Sequence, residues 1–272
     1  MFKVNEHVDN LKNYGITVLE NVLTTDYVEE CKKEIFKYFS DSKNLSKSYG
    51  AREGGHTVKA DGFNQIKLET CSKVVENKEV LEVMRGITNN NVRWLHHSDV
   101  HVNFIGAKSF HDDRQDRLWP DKNICGISTS DKEYEVYRMG TYLTEHTKED
   151  GAPFFVKPKS HTTRYTGIEH NTSFEVDAKP KDIVIFHAAL LHQGGNMKGD
   201  RISMFWAFGK DNKHSKYHSM AAMKRQINQN RDKKYFISNH LSKSLEVNSV
   251  KYKISNDEYE EFSKLTINSE KY

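Results

Sequence analysis

The chain has 272 residues, 36% hydrophobic and 29% charged, with a formal net charge of +3. It is long enough to bury a sizeable core, and it lacks the concentrated basic face expected of a nucleic-acid binder. Its three cysteines, Cys31, Cys71 and Cys125, are odd in number and widely spaced, which argues against a disulfide framework or a C-x-x-C clip and fits a reducing cytoplasm.

The opening MFKVNEHVDNLKNYG has no apolar signal core, and no run approaches the ~18 apolar residues of a membrane span. Neither a cleaved leader nor membrane association is expected. GITVLENVL alternates apolar positions and reads as a short strand. In TTDYVEECKKEIFKYF, Val28, Cys31, Ile35 and Tyr38 fall at helical spacing, with Thr24 or Thr25 placed to cap. A second helical stretch, roughly 72–87, sets Val80, Val83, Met84 and Ile87 on one apolar side.

From about residue 92 the texture becomes β-rich: VRWLHHSDVHVNFI, YEVYRMGTYLTEH, APFFVKP, TSFEVDA, DIVIFHAALLH and RISMFWAFG, divided by turn signals such as EDGAP and QGGN. Many short strands with glycine-marked turns predict a sandwich or barrel of jelly-roll type. Helical pattern returns near SMAAMKRQINQ, and the basic MKRQINQNRDKKY is expected to be a solvated tail helix. The expectation is one α+β domain over 1–272, mainly β in its core: a helical part about 1–90, a β core about 92–209 and a C-terminal helical, basic extension about 210–272.

HQGGNMKGDRIS, residues 192–203, runs from a histidine through a glycine turn to Arg201. Metal-ligand partners for His192 are offered by three H-x-[DE] pairs, His7/Asp9, His97/Asp99 and His111/Asp113; with 14 His and 38 acidic residues, such pairs arise by chance and none is meaningful alone. His7 precedes the β core, and alternation would make His97 an ordinary strand residue. His111 follows a strand and a glycine turn, and residues i and i+2 of an extended segment point the same way. Imidazole and carboxylate could then reach one ion together with His192. Two imidazoles and one carboxylate on one face, with open positions opposite, form the ligand set of non-haem Fe(II) oxygenases. The planar guanidinium of Arg201 suits a carboxylate, and Ser203, two residues on, shares its face. Together they could hold the distal carboxylate of 2-oxoglutarate.

These residues bring the chain to a resemblance. It is similar to the phytanoyl-CoA dioxygenase-like branch of the Fe(II)/2-oxoglutarate oxygenases from YGITVLENVLTTDYVEECKKEI to about residue 208. SFHDD resembles the proximal H-x-D, and TKEDGAPFFVKPKSH the acidic-glycine turn, strand and Pro-Gly-Ser-His segment. KDIVIFHAALLHQGGN with Arg201 resembles the Gly-Asp strand, distal histidine, asparagine and cosubstrate arginine. Asn196, four residues after His192, favours His192 over His187, and the GAKSF lead-in favours His111 over His97. Lys159 and Lys181 stand where the family has glycine, so the turns there are not carried over.

The resemblance implies a double-stranded β-helix (jelly roll, cupin-like) flanked by helices. His111, Asp113 and His192 would hold Fe(2+), with 2-oxoglutarate as cosubstrate, O2 as oxidant and ascorbate as an activator in vitro. Because related halogenases lack the carboxylate, Asp113 favours hydroxylation, although desaturation and ring closure use the same ligands. Asn103 is a further cosubstrate candidate, and Arg114, Arg138, Tyr142 and Trp206 are candidates to line the pocket, the arginines hinting at an anionic substrate. The segment LWPDKNICGISTSDKEYEVY is expected to bear on substrate choice. The expected partner is a small polar metabolite or a sugar-linked intermediate, with no nucleic acid; oligomeric state is not set by the sequence. The competing readings are a non-catalytic jelly-roll protein that binds a sugar or metabolite, and a cupin-type zinc or manganese isomerase.

Overall fold

The structure, a computed structural model, describes residues 2–45, 58–103, 109–113, 134–145, 154–163, 172–194, 201–230 and 234–267. Arg114, Cys125, Asn196 and most of the segment 118–137 lie outside the described residues.

The chain opens on a helix that the composition of its first residues does not announce, α1 (Val4–Tyr14), ended by Gly15 at φ 80°. The alternating run then forms β1 (Ile16–Leu19), followed by α2 (Thr25–Ser40) and the short α3 (Ser42–Leu45). Thr24 is the cap: its hydroxyl accepts the Tyr27 N–H at 3.2 Å. The apolar side of α2 is Val28, Cys31, Ile35 and Phe39, so Phe39 takes the place expected of Tyr38, which is only partly buried. Cys31 and Cys71 are both buried free thiols.

A strand that was not expected, β2 (Val58–Asp61), comes next. The helix expected over 72–87 is divided into α4 (Glu69–Ser72), a 3-10 turn (Lys73–Glu76) and α5 (Lys78–Thr88). Asn77 is the cause. Its backbone leaves the helical region at ψ 122° and its side chain accepts the Val80 N–H at 3.0 Å, which starts a new helix.

The β-rich half supplies β3 (Val92–Val102), β4 (Val136–Tyr142), β5 (Phe154–Val156), the short α6 (Ser160–Thr163), β6 (Phe174–Glu175), β7 (Ile183–His187), β8 (His192–Gly194) and β9 (Ile202–Lys210). Six strands pair antiparallel in the order β1-β7-β4-β9-β3-β2, and three more in the order β6-β5-β8. One face of the large sheet, with Met139, Ile183, Ile185, Met204, Trp206 and Phe208, packs on α1, α2 and α5 in a single apolar cluster. The other face carries Tyr142, Val184 and Phe186 against Phe154 and Val156 of the small sheet. Strand periodicity of two makes this division.

DIVIFHAALLH is not one strand. The chain leaves the large sheet at His187, whose Nδ1 accepts the Ala189 N–H at 3.0 Å and whose carbonyl accepts the Leu190 N–H at 2.8 Å. It enters the small sheet at His192, paired with Val156. This crossing sets His192 between the sheets.

Lys159 and Lys181 settle the two departures from the family pattern. Their φ values are 68° and 81°, the left-handed region that glycine occupies without strain. At Lys181 the turn is tied by Asp182, whose carboxylate accepts the N–H groups of Asn21 at 2.8 Å and Lys179 at 2.9 Å. Lys181→Gly should therefore raise the urea midpoint by the equivalent of about 0.5–1 kcal/mol, strain relief exceeding the added entropy of the unfolded chain. A lowered midpoint would contradict this.

The C-terminal extension folds as α7 (Lys213–Asn230), α8 (Asn239–Val247) and α9 (Asn256–Ile267). The expectation of a solvated tail helix is overturned for α7, which buries His214, Ser215, His218, Ser219, Ala222 and Gln226 against β3. Its buried face is polar and hydrogen-bonded, so the sequence shows no apolar stripe. Among the described residues no helix is long and apolar enough to cross a membrane.

Candidate active site

His111 and His192 exchange backbone hydrogen bonds, His111 N–H to His192 O at 2.9 Å and the reverse at 2.8 Å, forming an isolated antiparallel bridge on the free side of β8. Two residues on, the Asp113 N–H donates to Ala188 O at 2.8 Å, in the turn that joins β7 to β8. The main chain thereby brings the proximal pair and the distal histidine to one place. One ligand atom from each of His111, Asp113 and His192 lies within 4.8 Å of the others, and the two rings are 4.3 Å apart.

Each imidazole is oriented by its own backbone. His111 Nδ1 donates to Ser109 O at 3.1 Å, and His192 Nδ1 to Leu190 O at 2.9 Å. With Nδ1 carrying the proton, Nε2 of each ring is the lone-pair donor available to a metal. His192 Nε2 is 3.7 Å from Asp113 Oδ1. Burial lowers the His192 pKa against the pull of Asp113, which favours the neutral, ligating imidazole. For Asp113, burial pushes upward, but His192, Arg138 and His111 outweigh it and bring the carboxyl down to about 2. Two neutral nitrogens and one anionic oxygen fit a borderline divalent ion, and the residues present suit the group that the sequence implies.

The ligands line a cavity of about 170 Å³ between the sheets. Arg201 and Ser203 reach it from β9, Arg138 and Tyr142 from β4, Asp99 and His101 from β3, and Lys59 from β2. Arg201 is 5% exposed. Tyr142 and His101 both stand opposite Ser203 in register, one on each neighbouring strand. Burial raises the Tyr142 pKa to about 12 against the influence of Arg201, so the phenol stays neutral.

The other candidates divide. Asn103 does not line this cavity; its side-chain oxygen accepts the Arg201 N–H at 2.7 Å, and its own N–H donates to Arg201 O at 2.7 Å, so it fixes the start of β9. Trp206 faces the apolar core, because strand alternation sends Arg201, Ser203 and Phe205 to the cavity and Met204, Trp206 and Phe208 away from it. Arg138 lies between two carboxylates, Asp113 Oδ2 at 3.2 Å and Asp99 Oδ2 at 3.1 Å, so its charge is balanced within the site.

Sequence reasoning missed the floor of the site. His97, Asp99 and His101 alternate along β3, and the pattern H-x-D-x-H was the signal. A bulge between Trp94 and Ser98, with His96 at φ 55°, turns the strand there. Arg225 of α7 donates to His97 Nε2 at 2.7 Å, so His97 Nδ1 carries the proton and donates to His218 Nε2 at 2.8 Å. Arg225 also pairs with Asp61 at 2.6 Å, and His101 with Asp99 at 2.9 Å. His7, of the remaining H-x-D pair, bonds Thr17 at 2.9 Å on α1, away from the cavity.

This floor makes a prediction about pH. Burial, with Arg93 nearby, lowers His96 to about 3; burial, with Arg138, does the same for His218; burial, with Arg138 and Arg225, takes His97 well below its ordinary value of 6.5. All three are neutral when folded and charged when unfolded below pH 6.5, so the unfolded state binds more protons there. Stability of the metal-free protein should be full above about pH 6.5 and fall steeply toward pH 3, these three histidines being among the groups that take up protons on unfolding. Urea titrations at a series of pH values check this; a flat midpoint between pH 7 and 5 would contradict it.

An antiparallel two-sheet core holding two histidines and a carboxylate at one end of a small cavity is a jelly-roll architecture with a candidate metal site. The chain belongs to the phytanoyl-CoA dioxygenase (PhyH) family, whose profile matches residues 11–204. The match ends before α7. No curated protein matches the chain by sequence. Among solved structures, the non-heme alpha-ketoglutarate-dependent epimerase SnoN from nogalamycin biosynthesis superposes with a TM-score of 0.59 at 14% identity, over 76% of this chain and 82% of that one. HygX from Streptomyces hygroscopicus, with nickel and 2-oxoglutarate bound, has a TM-score of 0.53 at 17% identity, over 76% and 86%. EctD from S. alaskensis, with 2-oxoglutarate and 5-hydroxyectoine, has 0.54 at 15% identity, over 75% of each chain. At such identities the likeness is one of fold, and it bears out the jelly-roll core with flanking helices.

Proposed function

We propose that the protein is an Fe(II)/2-oxoglutarate-dependent dioxygenase that oxidises a C–H bond of a small polar metabolite or sugar-linked intermediate. The observation that carries this reading is the gathering of His111, Asp113 and His192 at a small cavity whose wall contains a buried guanidinium, Arg201. His111 Nε2, His192 Nε2 and an Asp113 oxygen would hold Fe(2+), which with O2 supplies the oxidising power while 2-oxoglutarate is converted to succinate and CO2.

The chain's own residues bind and orient. Arg201 neutralises the far carboxylate of the cosubstrate, and Ser203 adds a hydrogen bond from the same face of β9. Phe154, Phe186 and Phe205 line the apolar side and limit water. A cavity of about 170 Å³ is smaller than the usual site for a drug-sized ligand and suits the cosubstrate alone. The substrate therefore meets the site at its mouth. The fold-matched proteins include an epimerase, so ring or stereocentre chemistry belongs among the outcomes tested. The buried thiols Cys31 and Cys71 accord with a cytoplasmic location.

The test is 2-oxoglutarate turnover by the purified protein with Fe(II) and ascorbate, read as succinate, across a metabolite panel. Stimulated succinate formation with a matching oxidised product supports the reading. Tight metabolite binding with no succinate under any condition would favour a non-catalytic binding protein. Turnover that needs zinc or manganese but no 2-oxoglutarate would favour an isomerase.

A further inference from the structure

Asp113 presents its two oxygens to two different neighbours. Oδ1 lies 3.7 Å from His192 Nε2, on the side of the ligand cluster, whereas Oδ2 lies 3.2 Å from Arg138 Nε. The far end of the same guanidinium, Nη2, donates to Asp99 Oδ2 at 3.1 Å, and its plane sits 5.9 Å from the centre of the Phe205 ring. Asp99 is divided in turn, its Oδ1 being 2.9 Å from His101 Nε2. Arg138 and Asp99 are 4% and 1% exposed, so neither charge relies on bulk water.

Resting on the functional reading above, we propose that Arg138 is a positioning residue: it occupies Asp113 Oδ2 and restricts the carboxylate to ligating a metal through Oδ1 alone, with Asp99 holding Arg138 in place. An octahedral ion has six positions. The protein would fill three and a chelating keto-acid two, so a carboxylate bound through both oxygens would leave no place for a further ligand. Charge supports the same assignment. Asp113, Arg138 and Asp99 together carry −1, the charge of a lone carboxylate, so a buried guanidinium is added beside the site without weakening its attraction for a dication. A lysine could reach one of the two carboxylates but not bridge them as a planar fork does.

The experiment compares wild type, Arg138→Lys, Arg138→Gln, Asp99→Asn and Asp113→Ala, all metal-free and checked for folding by thermal unfolding. Mn(II) affinity is measured by electron paramagnetic resonance of the free ion. The nitrosyl signal of the Fe(II)–2-oxoglutarate complex then reports whether a position remains for a diatomic ligand. Arg138→Gln should diminish the nitrosyl signal, because Asp113 Oδ2 is freed to ligate, and should tighten Mn(II) binding roughly 10-fold, because a neighbouring cation is lost and a ligand oxygen gained; Arg138→Lys should be intermediate, and Asp99→Asn should diminish the nitrosyl signal while weakening Mn(II) binding. If Arg138→Gln does not fold, Arg138→Lys decides by the same two measurements. Wild-type Mn(II) affinity and an unchanged nitrosyl spectrum in the Arg138 variants would overturn the proposal while leaving the iron site standing. Equal Mn(II) binding by wild type and Asp113→Ala would overturn the iron site itself, and this inference with it.

Discussion

Asp113→Ala should lower metal affinity by roughly 10³-fold or more and abolish succinate formation, while the metal-free protein stays folded. Two effects add. The site loses its one anionic ligand, and the guanidinium of Arg138, 3.2 Å from the Asp113 carboxylate, is left facing the metal position with that partner gone. The broken ion pair itself costs the fold about 3–5 kcal/mol with or without metal, so affinities are compared only between variants shown to be folded. His111→Ala and His192→Ala should also lose metal, without the added repulsion. Their effect on affinity should therefore be smaller than that of Asp113→Ala, an ordering that Mn(II) titration of the three variants checks. A ranking with Asp113→Ala mildest would contradict the electrostatic account.

The second large effect is expected at Arg201. Arg201→Ala should raise the KM for 2-oxoglutarate by roughly 30- to 150-fold, the equivalent of about 2–3 kcal/mol for a buried carboxylate deprived of a charged hydrogen-bond partner. Metal affinity without cosubstrate should change little, because Arg201 contributes no ligand. Arg201→Lys should recover part of the loss, since it restores the charge but not the planar pair of donors. The measurement is succinate formation against 2-oxoglutarate concentration at saturating iron. Should KM stay at the wild-type value in Arg201→Ala, the cosubstrate carboxylate is held elsewhere and the orientation assigned to it is wrong.

The parts of the molecule that could be read in the sequence are those in which local pattern and tertiary role agree. Strand alternation in RISMFWAFG separates Ser203 from Met204 and Trp206 as the fold does. The gathering of His111, Asp113 and His192 was legible because all three are short-range neighbours of turns. His111 and Asp113 sit two apart in an extended segment, and His192 opens a strand.

What was hidden depended on side chains acting at a distance or against type. Asn77 reads as one polar residue inside a helical pattern, yet its capping bond divides the helix. His187 looks like a strand residue, yet its ring accepts a backbone N–H and turns the chain from one sheet to the other. α7 looks solvated because the groups it buries include Ser219, Gln226 and His218, each hydrogen-bonded to β3: His96 Nδ1 for Ser219 at 2.9 Å, the His96 carbonyl for the Gln226 amide N–H at 2.7 Å, and His97 for His218 at 2.8 Å. Periodicity reports apolar burial and is blind to a buried hydrogen-bonded face. Asn103 was a cosubstrate candidate, whereas its side chain serves the backbone of Arg201.

The account stands on one arrangement, best examined in an anaerobic crystal structure with Mn(II) and 2-oxoglutarate. The predicted result is a single ion bound by His111 Nε2, His192 Nε2 and Asp113 Oδ1, with the far carboxylate of 2-oxoglutarate on Arg201 and Asp113 Oδ2 still on Arg138. An ion bound at other residues, or a 2-oxoglutarate whose far carboxylate lies on Lys59 with Arg201 turned away, would contradict it.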